Sequence, residues 1–292
     1  MRRILLVAAI AAAASTGLAA CGSSGTPGGG SSPSSSPSAA SCSNSSIQSE
    51  LYQKGSLTVA TDNPAFTPWF VKNDPSNGKG YESAVAYAIA AQLGFAKAQV
   101  HWVHETFTSA YAPGPKKFDF DINEVSVTPQ RATAVTFSDS YYDVQQAIVA
   151  LAGSPVVTKH SPAQLKTYQY GDQIGTTGLT FITTKIQPTI TPKVFNTLDE
   201  AAAALEARRI AVLVTDTPTA QYMATQQLKH PPAVLVAQFP TVGEHYGLVF
   251  RLGNPLVSCV NKAIAALKSD GKLAALQHQY LKIFTSFPTI QP

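Results

Sequence analysis

Apolar and polar positions along the chain follow two periodicities, which predict strands and helices in alternation. Leu57 to Ala60 is a short apolar run ending at a turn, as in a buried strand. From Glu82 to Leu93 the apolar positions recur at helical spacing, and Gly94 follows as a helix stop. Further strands are predicted at 100–103, 118–123, 147–151, 210–214 and 246–250.

Helix starts are marked by capping side chains. Thr197 to Glu200 is a capping box opening a helix that reaches about Arg208. In four other places a capping residue precedes a proline, which suits the first helical position. These are Thr128–Pro129, Ser161–Pro162, Thr217–Pro218 and Asn254–Pro255. Because strands and helices alternate, we expect an α/β fold with largely parallel sheets, and such sheets bind ligands at the carboxyl ends of their strands.

The amino terminus has the pattern of an export signal. Arg2 and Arg3 precede an apolar run at 4–14, which is too short to span a bilayer of roughly 30 Å. The run leads to Leu18–Gly22, which resembles the lipobox of bacterial lipoproteins. We therefore predict a signal peptide at 1–20 and lipidation of Cys21. An ordinary signal peptide with a chance cysteine is the alternative.

Residues 21–46 are predicted to form a tether. Ser, Gly and Pro dominate this stretch, which has no charge and no bulky apolar side chain before Ile47. A coil of this length and composition spans roughly 25–30 Å. The lipid and the tether predict a folded part outside the cytoplasm, anchored to the cell membrane. A Gram-positive surface is favoured, and the periplasmic side is expected if the cell is Gram-negative.

Composition narrows the classes of function. The chain has 292 residues, 45% hydrophobic and 13% charged, so it can bury a core and is not disordered as a whole. Its net charge of +4 falls to about +2 once Arg2 and Arg3 are removed, so no nucleic-acid partner is predicted. If Cys21 carries lipid, Cys42 and Cys259 remain as a disulfide or as two free thiols.

Sequence patterns for metal and cofactor sites are incomplete. Asp119, Asp121 and Asn123 have the spacing that opens a calcium loop, but Glu124 and Gln130 stand where that loop needs Gly and Glu. The segment His101–Glu105 offers two imidazoles without a second cluster. The chain has neither a Gly-x-Ser-x-Gly elbow nor a phosphate-binding loop. No metal and no cofactor are predicted.

The order of segments resembles the family 3 solute-binding proteins, which are polar-amino-acid receptors of ABC importers. The resemblance runs from about Ser56 to Phe284 and is carried by 61–69, 80–94, 118–142, 246–250 and the helix after Asn254–Pro255. It implies a type II periplasmic-binding-protein fold, in which two α/β lobes joined by two crossing strands close over a ligand. Lobe 1 would comprise 47–143 and 246–292, and lobe 2 would comprise 144–245. A monomer is expected.

The resemblance implies that Arg131 binds the ligand's α-carboxylate, helped by Ser126. A planar guanidinium near a helix start suits a carboxylate. Asn123, Glu124 and Val125 occupy a strand end that borders the ligand in similar proteins. Glu124 departs from the family pattern, which has Gly or Ser there. A carboxylate in the cleft would favour a cationic ligand, although Glu124 could instead point away and pair with Arg131.

The other implied site residues each have a structural alternative. Asp216 would accept the ligand's α-ammonium, or it caps a helix. Thr180 would mark the helix start facing the carboxylate, but the family's Gly-Thr pair reads Leu179–Thr180 here. Phe66 and Trp69 would flank the ligand side chain, with Trp69 alternatively in the core. Asp62 would contact the distal group of a cationic ligand, or it stabilises its turn.

Two functional classes are compatible with these residues. The first is a non-enzymatic receptor that captures a polar amino acid, a cationic one if Glu124 faces the cleft, and delivers it to a membrane permease. The second is an enzyme like the cyclohexadienyl dehydratases, which share the fold and use a cleft carboxylate as a general acid, a role open to Glu124. The tether and Asp216 favour the receptor, because anchoring beside a permease suits a delivery protein.

Overall fold

The chain forms two five-stranded sheets in the computed structural model, which describes residues 42–240, 243–281 and 288–290. The strands are β1 Leu57–Thr61, β2 Val100–His104, β3 Phe120–Asp121, β4 Val135–Phe137, β5 Tyr142–Asp143, β6 Gln146–Leu151, β7 Tyr170–Gln173, β8 Lys193–Phe195, β9 Val212–Asp216, β10 Ala233–Gln238, β11 His245–Tyr246 and β12 Val249–Arg251. The α-helices are α1 Tyr81–Gln92, α2 Phe107–Ala110, α3 Pro162–Leu165, α4 Thr177–Phe181, α5 Leu198–Glu206, α6 Thr217–Tyr222, α7 Leu256–Ser269 and α8 Lys272–Tyr280.

Both sheets mix parallel and antiparallel pairs. The first has the order β2-β1-β3-β12-β4, with β1 parallel to β2 and β3 and with β12 antiparallel to its neighbours. The second has the order β10-β6-β9-β7-β8, with β7 parallel to β8 and β9 and with β6 antiparallel to its neighbours. The parallel strands bring several chain turns to one edge of each sheet, where a ligand site can form.

Two short strands lie where the chain passes between the sheets. β5 pairs antiparallel with β11, so that Tyr142 lies opposite Tyr246 and Asp143 lies opposite His245. The chain enters the second sheet directly after β5 and returns to the first directly before β12. The two connecting segments are therefore held side by side by backbone hydrogen bonds.

Each sheet has its own hydrophobic core. Helices α1, α7 and α8 pack together, and their buried side chains join those of β1 and β3. The second sheet is covered on both faces, by α5 and α6 in one cluster and by α4 with the segment after it in another. Among the described helices, none has both the length and the apolar character needed to cross a bilayer.

The folded unit begins before the predicted boundary at residue 47. The sulfurs of Cys42 and Cys259 are bonded, which attaches the start of the described chain to α7. Asn44–Ser46 forms a 3-10 turn, and Ile47 is buried in the first core. The end of the predicted tether is thus part of the fold, whereas Cys21 and the signal segment lie outside the described residues.

Several predicted elements are shorter than their sequence patterns indicate. The helix expected after Thr128 is one 3-10 turn, Arg131–Thr133, before β4 begins. The strand expected at 118–123 pairs only over Phe120–Asp121. The strand expected at 246–250 is divided into β11 and β12, which pair with different neighbours. The two strand patterns end where their pairing partners change, and the helical turn ends because β4 begins two residues later.

Candidate ligand-binding site

A pocket lies where strand ends of the two sheets face each other. One wall follows β1, β2 and β3, and the other is formed by β6, β7, β9 and the start of α4. Six predicted residues line it, namely Asp62, Phe66, Asn123, Glu124, Arg131 and Asp216. Lining residues that were not predicted from the sequence include Phe107, Gln146, Asp172, Thr176, Thr177 and Gly178. The geometry matches the usual ligand position in α/β sheets.

Arg131 is buried in the pocket wall and held in a fixed orientation. Its backbone N–H donates to Thr128 Oγ1 at 3.1 Å, just before the short turn. Nη1 donates to the carbonyl oxygen of Ser126 at 2.6 Å, and Nη2 donates to that of Gly175 at 2.7 Å. The guanidinium carbon lies 4.3 Å from the ring centre of Tyr111, a cation–π contact. These contacts join the two walls through a single side chain.

The guanidinium of Arg131 keeps capacity for a further anion. Within the described ranges no carboxylate lies within 4.0 Å of it. Burial lowers the pKa of Arg131, yet a guanidinium stays charged in proteins. It carries five N–H donors, so the two hydrogen bonds to carbonyl oxygens leave others available. A ligand carboxylate would supply the negative charge that no described side chain places within 4.0 Å of Arg131.

Four carboxyl groups line the same pocket, those of Asp62, Glu124, Asp172 and Asp216. The pKa of Asp216 is raised to about 8, first by burial and next by the charge of Glu244. Burial also raises the pKa of Glu124 and of Asp172 well above the usual range. A nearby positive charge favours the ionised form of a carboxyl group. The electrostatics of the pocket therefore favour a ligand with a cationic group.

Asp216 faces the pocket and does not cap the following helix through its side chain. It is the last residue of β9, opposite Gln146 of β6. Gln146 Nε2 donates to Asp216 Oδ1 at 2.6 Å, and the hydroxyl of Tyr246 donates to Oδ2. No side-chain capping hydrogen bond joins Asp216 to α6. The carboxyl group is thus fixed from behind and is placed to accept a hydrogen bond from the pocket side.

Glu124 turns its side chain into the pocket. Its backbone φ is 54°, a left-handed value that costs a non-glycine residue roughly 1–2 kcal/mol and often marks functional sites. Its backbone N–H donates to Glu82 Oε1 at 2.7 Å, and its Oε2 accepts from Thr219 Oγ1 at 2.9 Å. It forms no ion pair with Arg131. The alternative in which Glu124 pairs with Arg131 is therefore not seen in the structure.

Asp62 both stabilises its turn and lines the pocket. Oδ1 accepts from the backbone N–H of Asn63 at 2.7 Å and lies 3.3 Å from His104 Nε2. Oδ2 accepts from the backbone N–H of Phe107 at 3.2 Å. Phe66, four residues further on, contributes aromatic surface to the same lining. The two roles expected of Asp62 are thus compatible in one geometry.

The structure places Thr180 away from this pocket, contrary to the expectation. Helix α4 begins at Thr177, and Thr176 caps it by accepting from the backbone N–H of Leu179 at 3.1 Å. Thr180 therefore lies a turn later, is exposed, and donates back to the carbonyl oxygen of Thr176 at 3.2 Å. A Cβ on Gly178 would lie 2.4 Å from Asp172 Oδ2, so glycine permits the close approach of α4 to Asp172.

Three other predicted residues do not line the pocket. Trp69 is fully buried, and its ring packs edge-on against Tyr81, Tyr142 and Tyr246, so the core alternative describes it. Val125 is buried in a small apolar cluster with Val135 and Val249. Ser126 is also buried, and its hydroxyl donates to Glu244 Oε1 at 2.7 Å.

Four polar residues that hold the site were missed in the sequence, Gln146 in the pocket lining and Tyr246, Glu82 and Glu244 behind it. Gln146 and Tyr246 hold Asp216, Glu82 holds the backbone of Glu124, and Glu244 accepts from Ser126. Gln146 was detectable, because it is the polar first residue of an otherwise apolar strand. The others lie in segments far apart in sequence. Over residues 42–240, 243–281 and 288–290, no three His, Cys, Asp or Glu side chains form a group that could hold a metal ion.

Comparison with known proteins identifies the family. Residues 57–283 match the model of the bacterial extracellular solute-binding proteins, family 3. The chain therefore belongs to this family, and its fold is that of the type II periplasmic binding proteins.

Individual relatives are amino-acid-binding proteins. The L-arginine-binding protein of Pseudomonas aeruginosa is 25% identical over 239 residues, which cover 76% of this chain and 90% of that protein. An ancestral arginine-binding protein has been solved bound to glutamine and bound to arginine. Each structure is 29% identical and covers 78% of this chain and 98% of the other, with TM-scores of 0.67 and 0.66. An ancestral amino-acid-binding protein described as a precursor of cyclohexadienyl dehydratase is 27% identical, with a TM-score of 0.65, covering 82% and 99%.

Proposed function

We propose that this protein is the substrate-binding component of an ABC importer and captures an amino acid with a positively charged side chain. The main observation behind this proposal is the distribution of charged groups in the pocket. Arg131 lines it without a carboxylate partner within 4.0 Å among the described residues, while four carboxyl groups line it too. A zwitterion with an additional cationic group matches one guanidinium and several acids. The arginine-binding relatives support the same ligand class.

The proposed ligand pose assigns each charge to a partner. Arg131 binds the α-carboxylate bidentately, the arrangement that guanidinium groups favour. The hydroxyls of Ser126 and Thr177 lie beside it, and Thr177 takes the role expected of Thr180. Asp216 accepts a hydrogen bond from the α-ammonium. The side-chain cation then extends between Asp62 and Glu124, with Phe66 and Asn123 on the surrounding wall.

Capture is proposed to involve closure of two lobes. Residues 47–143 and 246–292 form one lobe and residues 144–245 form the other, with the segment from Cys42 joined to the first. The β5–β11 pair is the hinge. Hydrogen bonds from Arg131 and from the Tyr111 hydroxyl to the carbonyl oxygen of Gly175 link the two lobes. A ligand that contacts both walls would favour the closed state, since only differential affinity shifts such an equilibrium.

The same proposal includes an anchored, extracytoplasmic location. It takes residues 1–20 as a signal peptide, Cys21 as the lipidated residue and the segment after it as a tether beside the permease. The family's extracellular members support export. Mass spectrometry of the mature amino-terminal peptide tests the anchor, because a diacylglyceryl cysteine is expected at residue 21. An unmodified peptide that begins elsewhere would contradict it.

A second candidate is a dehydratase. Glu124 has a strongly raised pKa and lines the pocket, as a general acid must. The relative described as a dehydratase precursor has the same fold, but it is itself an amino-acid-binding protein. Binding therefore remains the leading proposal.

A thermal-shift screen of the purified protein separates the two candidates. The ligands are the common amino acids, polyamines, prephenate and arogenate, because a ligand that binds only the native state raises Tm. Stabilisation by arginine, lysine or histidine supports the receptor. A shift with prephenate or arogenate alone, followed by product formation, would support the enzyme. Glu124→Gln would then abolish turnover.

A further inference from the structure

A fifth carboxyl group, that of Glu244, lies beside the pocket on the segment that returns to the first sheet. Its Oε1 accepts a hydrogen bond from Ser126 Oγ at 2.7 Å. Gln146 Nε2 lies 3.2 Å from each Glu244 oxygen. Thr177 Oγ1 lies 3.5 Å from Ser126 Oγ and 3.4 Å from Gln146 Nε2. The Glu244 carboxylate is thus bound by Gln146, which lines the pocket, and by Ser126, which lies behind the opposite wall.

These are groups that a ligand carboxylate would also use. A serine hydroxyl has one hydrogen to donate, and Ser126 donates it to Glu244. Ser126 therefore cannot donate to a bound α-carboxylate while this hydrogen bond is present. Nη1 of Arg131 is bonded to the carbonyl oxygen of Ser126 itself, so the guanidinium and the contested hydroxyl belong to one small region.

We propose that Glu244 is an internal competitor of the ligand's α-carboxylate, holding the Ser126 hydroxyl in the ligand-free pocket until the ligand displaces it. This inference rests on the proposed function, since it assigns a specificity role within the same site. Glu244 lies two residues before Tyr246 of the β5–β11 pair. Its release therefore removes a side-chain hydrogen bond between the returning segment and Ser126, while the backbone bridge between Ser126 and Tyr246 stays.

The exchange also changes the charge beside Asp216. Glu244 is the charged group that most opposes ionisation of Asp216. When the ligand replaces Glu244 at Ser126, the incoming carboxylate brings its own α-ammonium, which pairs with Asp216. A cationic amine without a carboxylate has no means of displacing Glu244. Competition of this kind lowers the affinity for amino acids and leaves that for decarboxylated amines unchanged.

The test compares L-arginine with agmatine, its decarboxylated analogue, by calorimetric titration. The proteins are the wild type, Glu244→Ala, Glu244→Gln and Glu206→Ala, the last removing an exposed acid on α5 that is not in the pocket lining. The readout is the ratio of the arginine and agmatine affinities. L-arginine carries one net positive charge and agmatine carries two, so the loss of a negative charge alone weakens agmatine more and raises the ratio. The same substitution in a Ser126→Ala background measures that charge effect by itself.

We expect the ratio to rise about tenfold in Glu244→Ala. The Ser126 hydroxyl is then available to the ligand carboxylate, and about tenfold corresponds to one hydrogen bond to a charged acceptor. Glu244→Gln keeps an acceptor for Ser126 but loses the charge, so a smaller rise is expected. Glu206→Ala should leave the ratio within twofold. In a Ser126→Ala background the effect of Glu244→Ala on the ratio should shrink to the part that comes from charge alone, because the Ser126 hydroxyl is gone.

An unchanged or lower ratio in both Glu244 variants would overturn the inference. A rise of the ratio that is just as large in the Ser126→Ala background would also overturn it, because only the charge of Glu244 would then matter. If the screen selects lysine or histidine, cadaverine or histamine replaces agmatine. A wild-type protein that binds no amino acid refutes the proposed function itself. Amino-acid binding with an unmoved ratio refutes only the role of Glu244.

Discussion

The indole Nε1 of Trp69 donates a hydrogen bond of 2.7 Å to Thr219 Oγ1, between the loop after β1 and helix α6 of the second sheet. Thr219 in turn donates to Glu124 Oε2 at 2.9 Å. A buried aromatic residue of one core thus supports a pocket carboxyl group through a residue that belongs to the other. The arrangement uses the single proton of the threonine hydroxyl fully.

Thr219→Val should weaken this connection. The variant keeps the side-chain shape but leaves the Trp69 N–H buried without an acceptor, and an unsatisfied buried donor costs about 1–3 kcal/mol. The free energy of unfolding should fall by that amount in urea denaturation followed by Trp fluorescence. Thr225→Val, at an exposed site after α6, is the control and should stay within about 0.5 kcal/mol of wild type. Equal effects at both positions would argue against the hydrogen-bonded chain.

Glu124→Gln should change charge selectivity. If the Glu124 carboxylate faces the ligand's cationic group, its loss should weaken arginine binding by about tenfold, the scale of one charge-assisted hydrogen bond. Glutamine, which has no side-chain charge, should lose much less. Calorimetric titration with both ligands measures the difference. A parallel loss of both affinities would show that Glu124 supports the fold of the pocket and does not select charge.

The ligand-free protein should lose stability as the pH rises. Burial raises the pKa of Asp216 from its ordinary value of 3.8 to about 8 in the native state. Between these two pH values the native state holds a proton that the unfolded state has lost. The free energy of unfolding must therefore fall with increasing pH in this window. Glu82, with a pKa raised to about 7 by burial, acts in the same direction.

Asp216→Asn tests that pH dependence. Urea unfolding at pH 5 and pH 8 should show a smaller loss of stability in this variant than in wild type. The exposed Asp139→Asn should reproduce the wild-type slope. A slope in Asp216→Asn as steep as that of wild type would mean that Asp216 is already ionised in the ligand-free pocket.

The Cys42–Cys259 bridge should stabilise the fold without acting on the ligand. It joins residues 217 positions apart and lies on α7, among the core residues of the first sheet. Replacing both cysteines by alanine should lower the free energy of unfolding by about 2–5 kcal/mol. Ligand affinity should stay within about twofold at a temperature where the variant is folded. A large change in affinity at unchanged stability would contradict this assignment.

The elements with strong local signals were predictable from the sequence. Helix α1 has apolar positions at helical spacing and ends before Gly94, and α5 begins at the capping residue Thr197, whose hydroxyl accepts from Glu200. Asp216 was recognisable because a buried strand ends there. Its hydrogen-bond partners were harder to find, because Gln146 and Tyr246 reach it from other strands.

The errors arose where tertiary packing decides between two local possibilities. Trp69 follows a strand end in the sequence, and nothing local distinguishes a pocket aromatic from a core aromatic. Its position is set by tyrosines from three separate segments. At α4, Thr176 and Thr177 both precede Gly178, and the choice of Thr176 as the cap shifts Thr180 out of the pocket.

Arg131 and the pocket acids are proposed to bind a cationic amino acid together. The most direct test is calorimetric titration of wild type and Arg131→Ala with L-arginine and with L-glutamate. We expect wild type to bind arginine at least about 100-fold more tightly than glutamate. Arg131→Ala should lose arginine binding by about 100-fold, or ~3 kcal/mol, because the carboxylate loses its bidentate partner. Tighter binding of glutamate, or arginine binding unaffected by the loss of Arg131, would contradict this function.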